Sequence, residues 1–391
     1  MKISFAILSA MLLTILVSVP SFAQELLISG EAKSGILWER VEDRLGNSDS
    51  LKETVRLGSL DDAGPGDGRF RLNLDYTAAS GNVGFRARLN WENFNNLPTA
   101  GPHWSYAFGW GNFFNDQLTL SVGKLGASPW GTGGPEMYRE LEVSLFGGMR
   151  LEWKPNFVPG ELNIGFVLNW INDVQDGGLD RDPNFIDLLS ESVVGASYKN
   201  DWFLARAAYR FDSEIDDGTG RSGLDIKKEG TDLVYRLEEY ALRRVLPNLS
   251  LWALGEFKGI GSEAPEITFM TRNWFFAQYA PAQYTALLRL GIDATYSRLI
   301  LHARPSFSYN FFGGLLVPTL RFDFANDLGD AKIWPDSAYS YVAFDPQIQV
   351  NFAPGAYVAL SYYYRLENKF GPPGPPEQQT QRINLRAGIT F

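Results

Sequence analysis

The segment Gln381-Arg382-Ile383-Asn384-Leu385-Arg386-Ala387-Gly388-Ile389-Thr390-Phe391 decides the fold. Gln381, Ile383, Leu385, Ala387, Ile389 and Phe391 alternate with Arg382, Asn384, Arg386, Gly388 and Thr390. A strict period of two sets one face of a strand in an apolar medium and the other in a polar one. The last residues of a soluble chain usually fray, so an exposed terminal Phe would be wasted there. At the rim of a membrane barrel it has a role, because aromatic side chains favour the interface and a closing strand must be held.

The same alternation recurs upstream. Phe70, Leu72, Leu74 and Tyr76 alternate with Arg69, Arg71, Asn73 and Asp75, and Val83, Phe85, Ala87, Leu89 and Trp91 alternate with Gly84, Arg86, Arg88, Asn90 and Glu92. Ala79-Ser80-Gly81 joins them as an antiparallel hairpin. Val194 to Tyr198 leads through Asn200-Asp201 to Phe203 to Phe211, and Ile348 to Phe352 leads through Ala353-Pro354-Gly355 to Val358 to Tyr364. The first strand is read as Leu27 to Val41.

Short turns (79–81, 200–201, 247–248, 353–355) alternate with long polar connections (42–68, 125–140, 173–191, 213–230, 326–338, 369–380). That alternation belongs to a transmembrane barrel, with short periplasmic turns and longer external loops, rather than to a soluble sandwich. The fold class is therefore all-β: one antiparallel transmembrane β-barrel of about 16 to 18 strands, an even number as single-chain barrels require. Leu233 to Val245 changes phase near Glu238-Glu239 and is read as a bulged strand, with a short helix as the alternative. Pro265 to Phe276 alternates poorly, and as a loop it would lower the count. Pro305 falls mid-strand, which a closed sheet tolerates at a bulge. Gly371-Pro372-Pro373-Gly374-Pro375-Pro376 reads as a stiff external loop rather than a linker.

The amino terminus fits export. Met1-Lys2, the apolar run Ile3 to Val19 and Pro20-Ser21-Phe22-Ala23 have the form of a secretory signal peptide, leaving 24–391 as the barrel. Mean hydropathy is −0.16, and no segment after residue 23 approaches the apolar length a membrane helix needs. Yet 27 Phe, 17 Tyr and 11 Trp are present, a content that strands with aromatic girdles would produce. Cysteine is absent, so disulfides contribute nothing and the backbone ladder must hold the fold. A formal net charge of −10 argues against a nucleic-acid partner.

Arginine marks the polar face. Arg69, Arg71, Arg86 and Arg88 share one face of adjacent strands, and Arg206, Arg210, Arg289, Arg304, Arg321, Arg365, Arg382 and Arg386 take the same face of others. Facing lipid they would cost about 2 to 4 kcal/mol each near the midplane, so their face is expected to be a wet lumen. Two readings stay open: the cations concentrate anions in the lumen, or they pair with Glu31, Asp75, Glu92, Glu152, Asp293 and Asp323 and hold the wall round.

Signal peptide, strand and loop alternation, terminal Phe and a long connection after the fifth strand, Gly126 to Glu140, together resemble the bacterial outer-membrane porins. The resemblance implies the outer membrane of a diderm bacterium, insertion by the barrel-assembly machinery through the C-terminal strand, contact with membrane lipid, and a homotrimer. It implies a constriction by that loop, with Glu136 and Glu140 opposing Arg71, Arg86 and Arg88, Arg139 in the same loop, and Trp130 and Tyr138 packing it to the wall. The first strand lacks the opening pattern of a general porin, and eighteen strands look more like the substrate-selective class. Trp252 and Tyr363 are inward candidates without forming a sugar-guiding ladder.

The implied function is passive diffusion of small polar or anionic solutes; the alternative is a non-conducting surface barrel, an adhesin or envelope structural protein. Catalysis is not expected. His103 lies by a short loop and His302 faces the lumen with Arg304 and Ser306, the wrong side for a barrel lipase. Asp173, Asp176, Asp180 and Asp182 miss the calcium-loop spacing. No cofactor, metal or phosphate-cradling motif is read.

Overall fold

The computed structural model describes residues 25–43, 50–57, 69–92, 102–126, 129–132, 148–169, 192–216, 226–262, 269–295, 298–328, 340–368 and 378–391. The strands are β1 (Glu25–Asp43), β2 (Ser50–Leu57), β3 (Arg69–Thr77), β4 (Val83–Glu92), β5 (His103–Phe113), β6 (Leu118–Lys124), β7 (Gly148–Trp153), β8 (Glu161–Asn169), β9 (Val193–Lys199) and β10 (Phe203–Asp216). They continue as β11 (Ile226–Glu239), β12 (Leu249–Ile260), β13 (Met270–Tyr279), β14 (Tyr284–Thr295), β15 (Arg298–Ala303), β16 (Ser306–Tyr309), β17 (Leu316–Asp327), β18 (Ser340–Ala353), β19 (Ala356–Asn368) and β20 (Gln378–Thr390).

These twenty strands fill eighteen positions of one closed antiparallel wall. β2 and β3 lie end to end along β1: Ile36 to Asp43 of β1 face Leu57 to Ser50, and Glu25 to Lys33 face Thr77 to Arg69. β15 and β16 likewise share the place between β14 and β17. The break there falls at Arg304-Pro305, because proline has no N–H for the ladder. The wall stays sealed: Arg304 N donates to Arg289 O at 2.8 Å and Phe322 N donates to Pro305 O at 2.9 Å. β20 then returns to β1, from Glu31 opposite Thr390 to Asp43 opposite Gln378, which leaves no sheet edge to meet lipid.

Alternation sorts the side chains. On β20, Ile383, Leu385 and Ile389 are exposed on the outer face while Asn384 is 1% exposed on the inner one. Leu288, Leu290 and Ile292 of β14 and Phe322 and Phe324 of β17 extend the same outer belt. So continuous an apolar surface fits hydrocarbon and would be an aggregation site in water. The barrel is a transmembrane one.

The two ends differ. Turns such as Ala78–Asn82, Asn200–Trp202 and Pro354–Gly355 close one end, where Glu25 and Phe391 also lie; most of the longer connections are at the other. At the turn end Phe391 N donates to Gly30 O at 3.0 Å, and Gly30 N donates to Phe391 O at 2.8 Å. The terminal ring packs over Gly30, where an added Cβ would lie 2.7 Å from Phe391 Cζ. The last residue is part of the closing ladder.

Three local expectations change. The connection read as 42–68 contains β2, whose outward Leu51 and Val55 are separated by Glu53 and so give a weak apolar signal. The phase change near Glu238-Glu239 is the end of β11 rather than a bulge: Leu242–Arg244 form one 3-10 turn, and Leu242 N donates to Glu239 Oε1 at 2.6 Å. The register shift of this strand lies instead between Thr231 and Leu233. The poorly alternating stretch ending at Phe276 supplies β13 from Met270 onward. Residues 1–23, the acidic run 173–182 and Gly371 to Pro376 lie outside the described residues.

Candidate functional site

The inner wall is the candidate site, and its side chains are set by strand parity. On the hairpin of β3 and β4, Asn73 is opposite Arg88 and Asp75 opposite Arg86. Arg69 and Arg71 reach Glu31 of β1 at 2.7 and 3.4 Å. Arg86 Nε is 3.0 Å from Asp75 Oδ2. Arg88 differs: its Nε donates to Asn73 Oδ1 at 2.7 Å and its Cζ lies 5.0 Å from the Tyr106 ring centroid, both neutral partners.

A second arc runs from β13 to β20 around a concavity of about 780 Å³. Its lining includes six arginines, Arg272, Arg289, Arg304, Arg321, Arg365 and Arg382, and four carboxylates, Asp293, Asp323, Asp345 and Glu367; two further carboxylates, Glu256 and Glu39, sit against Arg272 and Arg382. The cations are held in place by two kinds of contact. Carboxylates take one edge: Arg304 Nε to Asp323 is 2.9 Å, Arg321 Nη1 to Asp345 is 3.1 Å, Arg365 Nη2 to Glu367 is 2.9 Å, and Arg382 Nε meets Glu39 across the seam. Aromatic rings take the face: Arg304 Cζ is 4.7 Å from the Trp274 centroid, Arg365 Cζ 3.9 Å from Tyr341, and Arg382 Cζ 5.4 Å from Tyr363. Arg321 and Arg386 both donate to Gln347 Oε1, at 3.2 and 2.6 Å. Guanidiniums so clamped lose little further rotamer freedom and keep a fixed direction of field.

Between the two arcs the inner wall is covered. Leu125 and Trp130 are buried against inward-facing Val167, Val193, Ala208 and Val234 of β8 to β11. Trp130 is 0% exposed, and a Cβ added at Gly165 or Gly195 would overlap its indole ring. Arg236 Nη1 donates to Thr132 O at 2.8 Å, and Arg206 Nη1 to Pro129 O at 3.5 Å. Residues 125–126 and 129–132 thus form a strap laid on the inner side of the barrel, and no other described residue covers the β13 to β20 arc.

By strand register, Arg69, Arg71, Arg86, Arg88, Arg289, Arg304, Arg321, Arg382 and Arg386 fall on the polar face of the wall. Trp130 lies in the strap. Glu136, Tyr138, Arg139 and Glu140 lie outside the described residues, as does the side chain of Glu92. Pairing of Glu31, Asp75, Glu152, Asp293 and Asp323 with cations or His302 is extensive. His302 Nε2 is 3.2 Å from Asp293 Oδ2, and its ring stacks on Trp274 at 5.2 Å.

Sequence reasoning missed the glycine cradle of Trp130 and the role of Trp274, which sits against Gly291 where a Cβ would come within 2.6 Å of its ring. The available signal was small: β8 and β9 are apolar or glycine on both faces at one level, the mark of a strand covered on both sides.

No family model matches the chain, and no curated protein sequence matches it. The fold has close counterparts among solved structures. OpdQ of Pseudomonas aeruginosa aligns over 93% of this chain and 97% of its own, with a TM-score of 0.55 at 12% identity. OccK5 (OpdH) of the same organism aligns over 94% and 98%, with a TM-score of 0.52 at 12% identity. At that identity the likeness is one of fold.

Proposed function

We propose that the protein is an outer-membrane porin of a diderm bacterium, a passive channel for small polar solutes with a preference for anions. The observation that carries the reading is the arc from β13 to β20, which no other described residue covers: a polar concavity of about 780 Å³ inside a closed transmembrane wall, lined by six arginines held in fixed positions. Fixed guanidiniums facing a narrow wet passage raise local anion concentration. In this reading the strap narrows the passage from one side and Arg88, with neutral partners, adds charge at its root.

The second reading, a non-conducting barrel, draws on the extent of ion pairing along the wall, which also stiffens it. Single-channel recording from the folded, detergent-purified chain separates the two. Discrete conductance steps with an anion-selective reversal potential support the channel; a folded barrel without steps supports the second reading. Steps with cation selectivity would keep the channel and remove the anion preference. Selectivity from fixed lumen charge should also weaken between 0.1 and 1 M salt, as the screening length falls from about 10 to about 3 Å.

A further inference from the structure

The turn end of the barrel carries a ring of exposed aromatic tips: Phe114 is 76% exposed, Phe157 73% and Phe312 80%, with Trp202 and Phe391 among them. On a membrane barrel such side chains sit where acyl chains give way to headgroups. One tip is built differently. The connection from β11 to β12, residues 240–248, places Arg243 and Arg244 between exposed Leu242, Val245 and Leu246.

This tip is rigid. Tyr240 N and Ala241 N both donate to Trp202 O, at 2.7 and 3.2 Å. Arg244 Cζ lies 4.7 Å from the Trp202 ring centroid and its Nη2 3.3 Å from Asp201 Oδ2; Arg243 Cζ lies 4.8 Å from the Tyr240 centroid. Burial, then the hydrogen bond it donates to Glu238, pushes the Tyr240 hydroxyl up, so the ring under Arg243 stays neutral. Arg243 Nε is buried and meets no hydrogen-bond acceptor among the described residues. Together Asp201, Tyr240, Arg243 and Arg244 line a shallow concavity.

We propose that this tip binds the phosphate diester of a membrane phospholipid, with Arg243 and Arg244 on the phosphate and Leu242, Val245 and Leu246 among the acyl chains. Continuity supports that occupant: Phe203 of β10 and Leu237 of β11, on the lipid-facing surface beside the tip, are exposed parts of the outer belt. Charge supports it too, because phosphate is the anion found at headgroup depth and a guanidinium binds it through paired N–H groups. Two stacked guanidiniums are ordered before the lipid arrives, which lowers the entropic cost of binding. The inference rests on the membrane barrel alone, so it stands whether or not the lumen conducts.

The test is native mass spectrometry of the full chain released from neutral detergent micelles doped with palmitoyl-oleoyl phosphatidylglycerol. The wild type should retain this lipid about tenfold more tightly than the Arg243→Gln, Arg244→Gln double variant, as loss of about 1.4 kcal/mol requires. Heat-modifiable gel migration identifies variants that fold. Equal retention by the two proteins would overturn the proposal. So would an equal loss in Lys154→Gln, Lys199→Gln, which removes turn-end charge elsewhere, or displacement of the lipid by millimolar inorganic phosphate, which would make this a site for the free ion.

Discussion

Arg88 and Gly195 show how much a single position decides in this wall. Arg88 is clamped by Asn73 and Tyr106, so among the described residues its charge is not offset by an adjacent carboxylate as those of Arg86 and Arg304 are. Arg88→Gln should therefore move the reversal potential toward cations, whereas the paired replacement Arg304→Gln with Asp323→Asn, which leaves net charge unchanged, should move it little; bilayer recording under a salt gradient compares them. Gly195 acts through shape. A methyl group there overlaps the Trp130 indole, so Gly195→Ala should lift the strap and enlarge the conductance step, and Trp130→Ala should do the same while costing about 3 to 5 kcal/mol for the lost indole packing. Step size in single-channel records checks both, and an unchanged step in a folded Gly195→Ala protein would remove the strap from the passage. Arginines two apart, at 69 and 71 and at 86 and 88, mark the polar face of a strand in the sequence itself. A glycine whose neighbour is an indole 65 residues earlier in the chain leaves no local mark.

At the scale of elements, legibility followed how far each strand obeys a period of two. β3, β4 and β20 have an apolar face outward and a polar face inward, so their boundaries stand out. β8 and β9 are apolar inside as well, since the strap covers them, and β2 has Glu53 between its outward Leu51 and Val55. Side-chain charge partners depend on register between strands, which no single strand encodes. The line across β12, β13 and β14 is an example. Glu256 is 1% exposed, with Arg272 Nη1 3.6 Å from its Oε1; Arg272 Nε is 3.9 Å from Asp293. Removing this cation leaves the buried carboxylate with less charge compensation, so Arg272→Met should destabilise the barrel by about 3 kcal/mol, and adding Glu256→Gln should restore most of that loss. Guanidinium unfolding in lipid vesicles measures the difference; a double variant no more stable than the single one would mean that Arg272 matters through packing.

The whole molecule depends on one junction, because a barrel has a wall without edges only if its first and last strands meet. β1 and β20 pair from Glu31 opposite Thr390 to Asp43 opposite Gln378, and Phe391 extends the ladder through two hydrogen bonds with Gly30. In lipid an unpaired backbone group costs several kcal/mol, so the end of this ladder matters more than a frayed end in water. Two contributions can be separated. Phe391→Ala keeps the backbone bonds and removes the ring over Gly30; since that ring is 56% exposed, the loss should be about 1 kcal/mol. Deleting Phe391 removes both bonds as well, at about 1 kcal/mol net for each, and should destabilise by about 3 kcal/mol in all. Phe391→Trp, which restores an interfacial ring, should recover the Ala deficit. The same unfolding assay orders the three variants, and a deletion no worse than Phe391→Ala would show that the seam is already complete at Thr390.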